Sequence, residues 1–245
     1  MKYIHSLYIL ATALLLTTSC DADHTTKIVG NEEGFFSLSL TPDEVQSEVI
    51  TRASLNLDVK NFQITLTEAS GIPLLEKRLF GELTEAERTL PAATGYQLKA
   101  ESCTLDEAVT LNKGWGMAHF IGTATFDIES NQHTPVSLTC TMDNVGLQVV
   151  FDQSFLEKFP IHAATTQNSR TIVFNQTTQE NTAYFPIEGD ALNMELRLTG
   201  SAGGWEDRLD VMKELALSKG KIYTVNITYS NASSKGIAMR VSEVN

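Results

Sequence analysis

The chain has 245 residues, a formal net charge of −12 at pH 7 and only five histidines. An acid excess of that size repels a phosphate backbone, and with no Lys/Arg cluster to offset it, nucleic acid is excluded as a partner. No cofactor or metal is expected.

The N-terminus comes first in chain order. Lys2 precedes the apolar run Leu7–Leu16, which is too short to span a bilayer, for which about 20 apolar residues are needed. The run ends in Thr17-Thr18-Ser19-Cys20. A small residue before a cysteine reads as a lipoprotein signal, with residues 1–19 removed and Cys20 carrying the lipid. Thr17 stands where a leucine is usual, and an ordinary secretory signal is the alternative. Loss of residues 1–19 takes Lys2 and no acid, so 18 − 1 cations face 30 acids and the mature charge becomes −13. Residues 20–33 are polar and read as a tether. The acidic start Cys20-Asp21-Ala22-Asp23 resembles the surface-export signal of Bacteroidetes lipoproteins, which implies an address at the outer membrane, lipid-anchored and surface-exposed.

From Gly34 the patterning is short and alternating. Phe36, Leu38 and Leu40 share one face of a first strand. Leu55, Leu57, Val59, Phe62, Ile64 and Leu66 predict a long strand, or two joined by a bulge. A turn follows at Ser70–Pro73. "TEAERTL" predicts one or two helical turns. After a turn at Pro91–Gly95, Tyr96, Leu98 and Ala100 form a row. "TATFDIES" and "TPVSLTCTM" are strands around a turn at Asn131-Gln132, and Val136, Leu138, Cys140 and Met142 share a face. "VGLQVVF" is next, then "SFLEKF" as a short helix. "RTIVFNQ", "TAYFPIEG", "LNMELRLTG", "KIYTVNITYS" and "GIAMRVSEV" complete the strands. Many short strands with scarce helix predict an all-β fold of two tandem β-sandwich domains, Ig/transthyretin-like in style. The division falls at Asp143-Asn144, giving 34–142 and 143–245; one elongated sandwich is the alternative.

With Cys20 committed to lipid, Cys103 and Cys140 remain, as a disulfide or as two buried thiols. Four histidines survive signal removal: His24, His119, His133 and His162. They are far apart, and no nucleophile elbow or His-Glu-x-x-His pair accompanies them, so no catalytic residue is assigned and the chain is read as a non-enzyme. Trp115 and Trp205 sit in glycine-flanked loops. Each could stack on a sugar or fold back over the end of a sandwich.

Several segments in order resemble a family of Bacteroidetes surface lipoproteins that carries a domain of unknown function and is distantly fimbrillin-like. They are "GFFSLSL", "TRASLNLDVKNFQITL", "LPAATGYQLKAES", "HFIGTATFDI" and "VSLTCTMDNVGLQVVF". The match is dense over 34–160. It departs at Thr94, an extra residue before Gly95, and at His119-Phe120, where paired aromatics are common. The resemblance implies a cell-surface β-sandwich protein of the pilus and adhesion type, with like subunits or host and glycan ligands as partners. In fimbrillins a protease cuts after an arginine near the N-terminus, which frees a groove for another subunit's strand. Arg52 is placed for that role, or is a plain loop residue. A carbohydrate-binding surface lipoprotein is the alternative function.

Overall fold

Alternation builds the first strand as expected. In β1 (Glu33–Pro42), Phe36 and Leu40 are buried and Leu38 packs against the same core. The computed structural model describes residues 32–43, 55, 57–167, 170–178, 181–202, 208–230 and 236–244, and Glu33–Asn245 forms one compact unit. The signal, the tether up to residue 31, Cys20, His24, Arg52 and Trp205 lie outside the described residues, and Glu33, expected as the tether's last residue, already belongs to β1.

The expected long strand through 55–66 is shorter than its alternation suggests. The Asp58 carboxylate accepts the Lys60 N–H at 3.0 Å and caps a 3-10 turn at Val59–Asn61, so β2 begins only at Gln63 (Gln63–Thr67). A side chain that satisfies the backbone locally competes with the strand ladder. β3 (Pro73–Leu79) has no counterpart in the sequence pattern, because Glu76, Lys77 and Arg78 break its alternation. "TEAERTL" makes one 3-10 turn (Ala86–Arg88), followed by β4 (Thr89–Pro91) and β5 (Ala93–Glu101). The extra Thr94 falls in a register shift between Ala93 and Tyr96, where Gly95 takes φ +79° and donates its N–H to Asp127. A helix, α1 (Leu105–Thr110), then starts in a capping box formed by Thr104 and Glu107.

The antiparallel strands β6 (Phe120–Ile128) and β7 (His133–Met142) follow. One residue later comes β8 (Asn144–Phe151), then α2 (Gln153–Lys158), the short helix expected of "SFLEKF", N-capped by Asp152. β9 (Ile161–Gln167) and β10 (Val173–Phe174) precede β11 (Ala183–Pro186). β12 (Ala191–Ser201) pairs along its whole length with β13 (Arg208–Ser218), and β14 (Ile222–Tyr229) with β15 (Ile237–Val244).

The strands form three sheets, ordered β3-β2-β5-β6-β7-β1-β4, β10-β9-β12-β13 and β11-β8-β14-β15. The fold is therefore all-β. Only two residue pairs, Phe120–Met142 and Ile121–Thr141, join β6 to β7, so the first sheet opens there. Its two parts face each other across a core in which Phe36 of β1 meets Phe126 of β6 at 5.3 Å. A second core lies between the other two sheets. Leu147 of β8, Leu196 of β12, Leu217 of β13 and Val225 of β14 meet in it, all fully buried.

Strand order repeats between the halves, although no sequence period announces it. The order β3-β2-β5-β6 recurs as β10-β9-β12-β13, and β4-β1-β7 recurs as β11-β8-β14. In each case the first strand runs antiparallel to a short proline-ended strand and parallel to a later one: β1 with β4 and β7, β8 with β11 and β14. Among the described residues, β15 has no counterpart in the first half.

Leu196→Ala in β12 is expected to lower stability by about 2–5 kcal/mol. Met212→Ala, on the outward row of β13, should change it by less than about 0.5 kcal/mol. Urea denaturation compares them, and equal losses would refute this assignment of inward and outward rows.

Candidate functional site

Two places combine unusual chemistry with a structural reason for it: the boundary between the cores and the edge strands. The boundary is built from the strap Leu111–His119, which runs from α1 into β6. Lys113, Gly114 and Gly116 in the strap take positive φ. Gly116 has no room for a side chain, since a Cβ there would lie 2.3 Å from the Ala108 carbonyl oxygen. Trp115 packs against the second core, its ring edge-on to Phe174 at 5.1 Å, while its carbonyl accepts the Tyr184 N–H at 2.8 Å. Its indole is half-buried and folded back over the end of the strands. Arg170 completes the clamp. Its guanidinium donates to the carbonyl oxygens of Gly114 and Tyr184 and lies over the Phe185 ring. Burial lowers its pKa from the usual arginine value.

His119 lies at the end of the strap and is 1% exposed. Its N–H donates to the Asn144 side-chain oxygen at 3.1 Å, and its carbonyl accepts the Asp143 N–H at 2.7 Å. The Asn144 side chain also donates to the Met117 carbonyl, and its backbone carbonyl accepts the Gly220 N–H. The imidazole stands between two carboxylates, Nε2 at 3.7 Å from Glu101 and Nδ1 at 3.8 Å from Asp143. Both distances exceed hydrogen-bond reach, and neither ring nitrogen has a hydrogen-bond partner. Each carboxylate is instead held by a lysine at 2.6 Å, Glu101 by Lys99 and Asp143 by Lys219. Burial pushes the His119 pKa down, against the pull of Asp143 and Glu101.

The other sequence candidates are placed apart. Cys103 and Cys140 are both free, buried thiols. Burial raises both, Cys140 to about 11, which keeps them protonated and unreactive. His133 stacks on Phe35, and His162 packs against Phe151 and Phe155. Glu101, Asp143, Asn144, Arg170 and Lys219 carry no signal as a group in the sequence. Only the domain break expected at Asp143-Asn144 points toward them.

Edge strands carry unpaired backbone groups and need blunting. β3 begins with Pro73 and bulges near Lys77, where φ is +51°. β4 and β11 are short and end in proline, and β10 has two residues. β13 turns Lys213 onto its inward row, opposite Leu196. β15 carries no proline or bulge across its eight paired residues. β1 lies inside its sheet and, like β8, is covered along only part of one edge by its short antiparallel partner. β7 pairs with β1 over eight positions, but β4 covers only Glu33–Phe35, and no described strand pairs with its remaining edge.

Among the described residues no helix is long and apolar enough to cross a membrane, and no three metal-ligating side chains cluster. The molecule thus defines a class: a layered all-β protein with a polar boundary between two cores. The chain belongs to the family described as a domain of unknown function (DUF4493), whose model matches residues 32–244. No curated protein matches the sequence. It is similar to solved structures of a candidate adhesin from Bacteroides thetaiotaomicron (10% identity, 87% of this chain and 98% of that chain, TM-score 0.49). It is also similar to a fimbrial assembly protein from Parabacteroides distasonis (12% identity, 86% and 95%, TM-score 0.46). A third is the fimbrial anchor protein Mfa2 from Porphyromonas gingivalis (10% identity, 85% and 97%, TM-score 0.40).

Arg170→Ala is expected to lower stability by about 1–3 kcal/mol, since it leaves two carbonyl groups without their donor. Arg170→Lys should recover only part of this, because an ammonium cannot fork to two acceptors and lie flat on Phe185 together. Chemical denaturation of the three proteins checks it; full recovery by lysine would show that charge alone matters.

Proposed function

We propose that this protein is a non-enzymatic, lipid-anchored cell-surface protein with a structural or adhesive role, built as a fimbrillin-like subunit. In this reading residues 1–19 are the signal, Cys20 the lipid attachment point and 20–33 the tether. The folded part is two tandem β-sandwiches, 34–142 and 143–245. The repeated strand order and the two cores support that division, with Tyr184 and Ile222 of the second half reaching into the first core.

One observation carries the functional reading: β1 fills a place in the first core while much of one edge is left without a described strand partner. Phe36, Leu38 and Leu40 pack into that core, yet β1 reaches it by no hairpin. Arg52 follows the end of β1 by ten residues. A cut there separates β1 from everything after it. Its departure would leave a slot beside β7 that asks for another strand, and β-strand addition supplies backbone hydrogen bonds and alternate side-chain pockets together. Carbohydrate binding is less well supported, because Trp115 is committed to packing on Phe174.

Cleavage with an arginine-specific protease should convert monomer into strand-exchanged oligomers on size exclusion, and Arg52→Ala should block this. If cleaved and uncleaved chains both remain monomeric, the subunit-exchange form of the proposal fails. For the anchor, labelled palmitate should enter the wild type and be lost in Cys20→Ala. Label retained in that variant would sink the lipid assignment.

A further inference from the structure

The row Lys99, Glu101, His119, Asp143 and Lys219 alternates cation, carboxylate, imidazole, carboxylate, cation across the boundary of the two cores. Lys99 and Glu101 come from β5 and His119 from the strap. Asp143 is the lone residue between β7 and β8, and Lys219 lies in the β13–β14 turn. Glu101 and Asp143 face the ring, Lys99 acts on it beside Glu101, and Lys219 acts through Asp143. The Cys103 thiol, two residues beyond Glu101, is raised by burial and stays neutral throughout the acid range. We propose that His119 is the trigger of an acid-sensitive latch at this boundary, closed while the ring is neutral and loosened when it takes a proton.

Neutral imidazole carries one N–H, yet a carboxylate faces each of its nitrogens. Neither contact is a hydrogen bond. A proton would place a full cation in a site that is 1% exposed. The two carboxylates could compensate that charge, but each is already paired to a lysine at 2.6 Å, which weakens its pull. To accept from the imidazolium they must close a gap of nearly 1 Å and loosen their lysines. Lys99 and Lys219 have side chains 41% and 35% exposed, so both can turn to water. The ring is enclosed, and its backbone is bonded to Asn144 and Asp143, so it reaches water only if the strap or the β7–β8 junction moves. Protonation is therefore relieved by shifting the segments that meet here: 117–120, 143–146 and 219–221.

The sign follows from burial. The folded-state pKa lies below the unfolded value of about 6.5, so the unfolded form binds the proton first. The latch contributes its full stability above that value and loses it as pH falls through the interval between the two.

Hydrogen exchange read by mass spectrometry at pH 7.5, 6.0 and 5.0, corrected for intrinsic rates, tests this on the wild-type chain. Protection in 117–120 and 143–146 should fall by up to about tenfold per pH unit on the acid side, while the interiors of β12 and β14 hold. In His119→Gln those boundary segments should show little pH response over the same range. Equal pH responses in the two proteins, or a loss spread uniformly over the molecule, would overturn the latch. Should His119→Gln fail to fold, C2-hydrogen exchange of the histidines gives the His119 pKa in the wild type. A value clearly below about 6.5 supports the latch, and one at or above it refutes it.

Discussion

A single residue, Asp143, separates β7 from β8. So short a connection forces the two cores to abut, and polar groups at their meeting point must be buried. Asn144 is 2% exposed, His119 1% and Glu101 6%. Burying such groups without partners would cost several kcal/mol. The structure offsets this through Asn144, whose side chain accepts from one strap residue and donates to another, and through two lysines that hold the carboxylates. Within this group the His119 ring is left unsatisfied. The Arg170 clamp and the glycine-bearing strap belong to the same solution, since they give the first half a backbone surface that the second half can hydrogen-bond.

The repeated strand order explains how that boundary is fed. Each half begins with a strand that sits inside its sheet and runs parallel to a strand formed late. Parallel neighbours need a long crossover, so these first strands are held by side-chain burial and tertiary pairing, with no hairpin to lock them. β14 pairs with six residues of β8 and β11 with four, while β7 pairs with eight residues of β1 and β4 with three. The two copies thus hold the opening strand in the same way, by one long parallel partner and one short antiparallel one.

Much of the architecture is legible because strand period is local. Rows such as Leu192–Leu198 and Tyr223–Tyr229 place every second residue inward, and the strands lie where those rows lie. Legibility ends where charge enters a strand for a tertiary reason. β13 is hidden because Lys213 interrupts its apolar row, and the lysine is there on an edge strand. β3 is hidden in the same way by its charged bulge. The stretch 55–61 misleads in the opposite direction: its alternation is real, yet Asp58 captures a backbone N–H and ends the ladder before it starts. The candidate site is less legible still. His119 reads as a strand residue beside Phe120, and nothing local ties it to a carboxylate 18 residues earlier or a lysine 100 residues later.

The sequence by itself determined the class: an acidic, strand-rich chain with turn signals at short intervals and no clustered catalytic set. Alternation and turn chemistry act over a few residues, so they can be read from a few residues. Tertiary structure alone decided which strands became edges, that Trp115 packs inward on Phe174, that Cys103 and Cys140 stay as separate thiols, and that five charged or titratable groups line up across the boundary. Those outcomes depend on distances between segments far apart in the chain, which only the closing of the two cores sets.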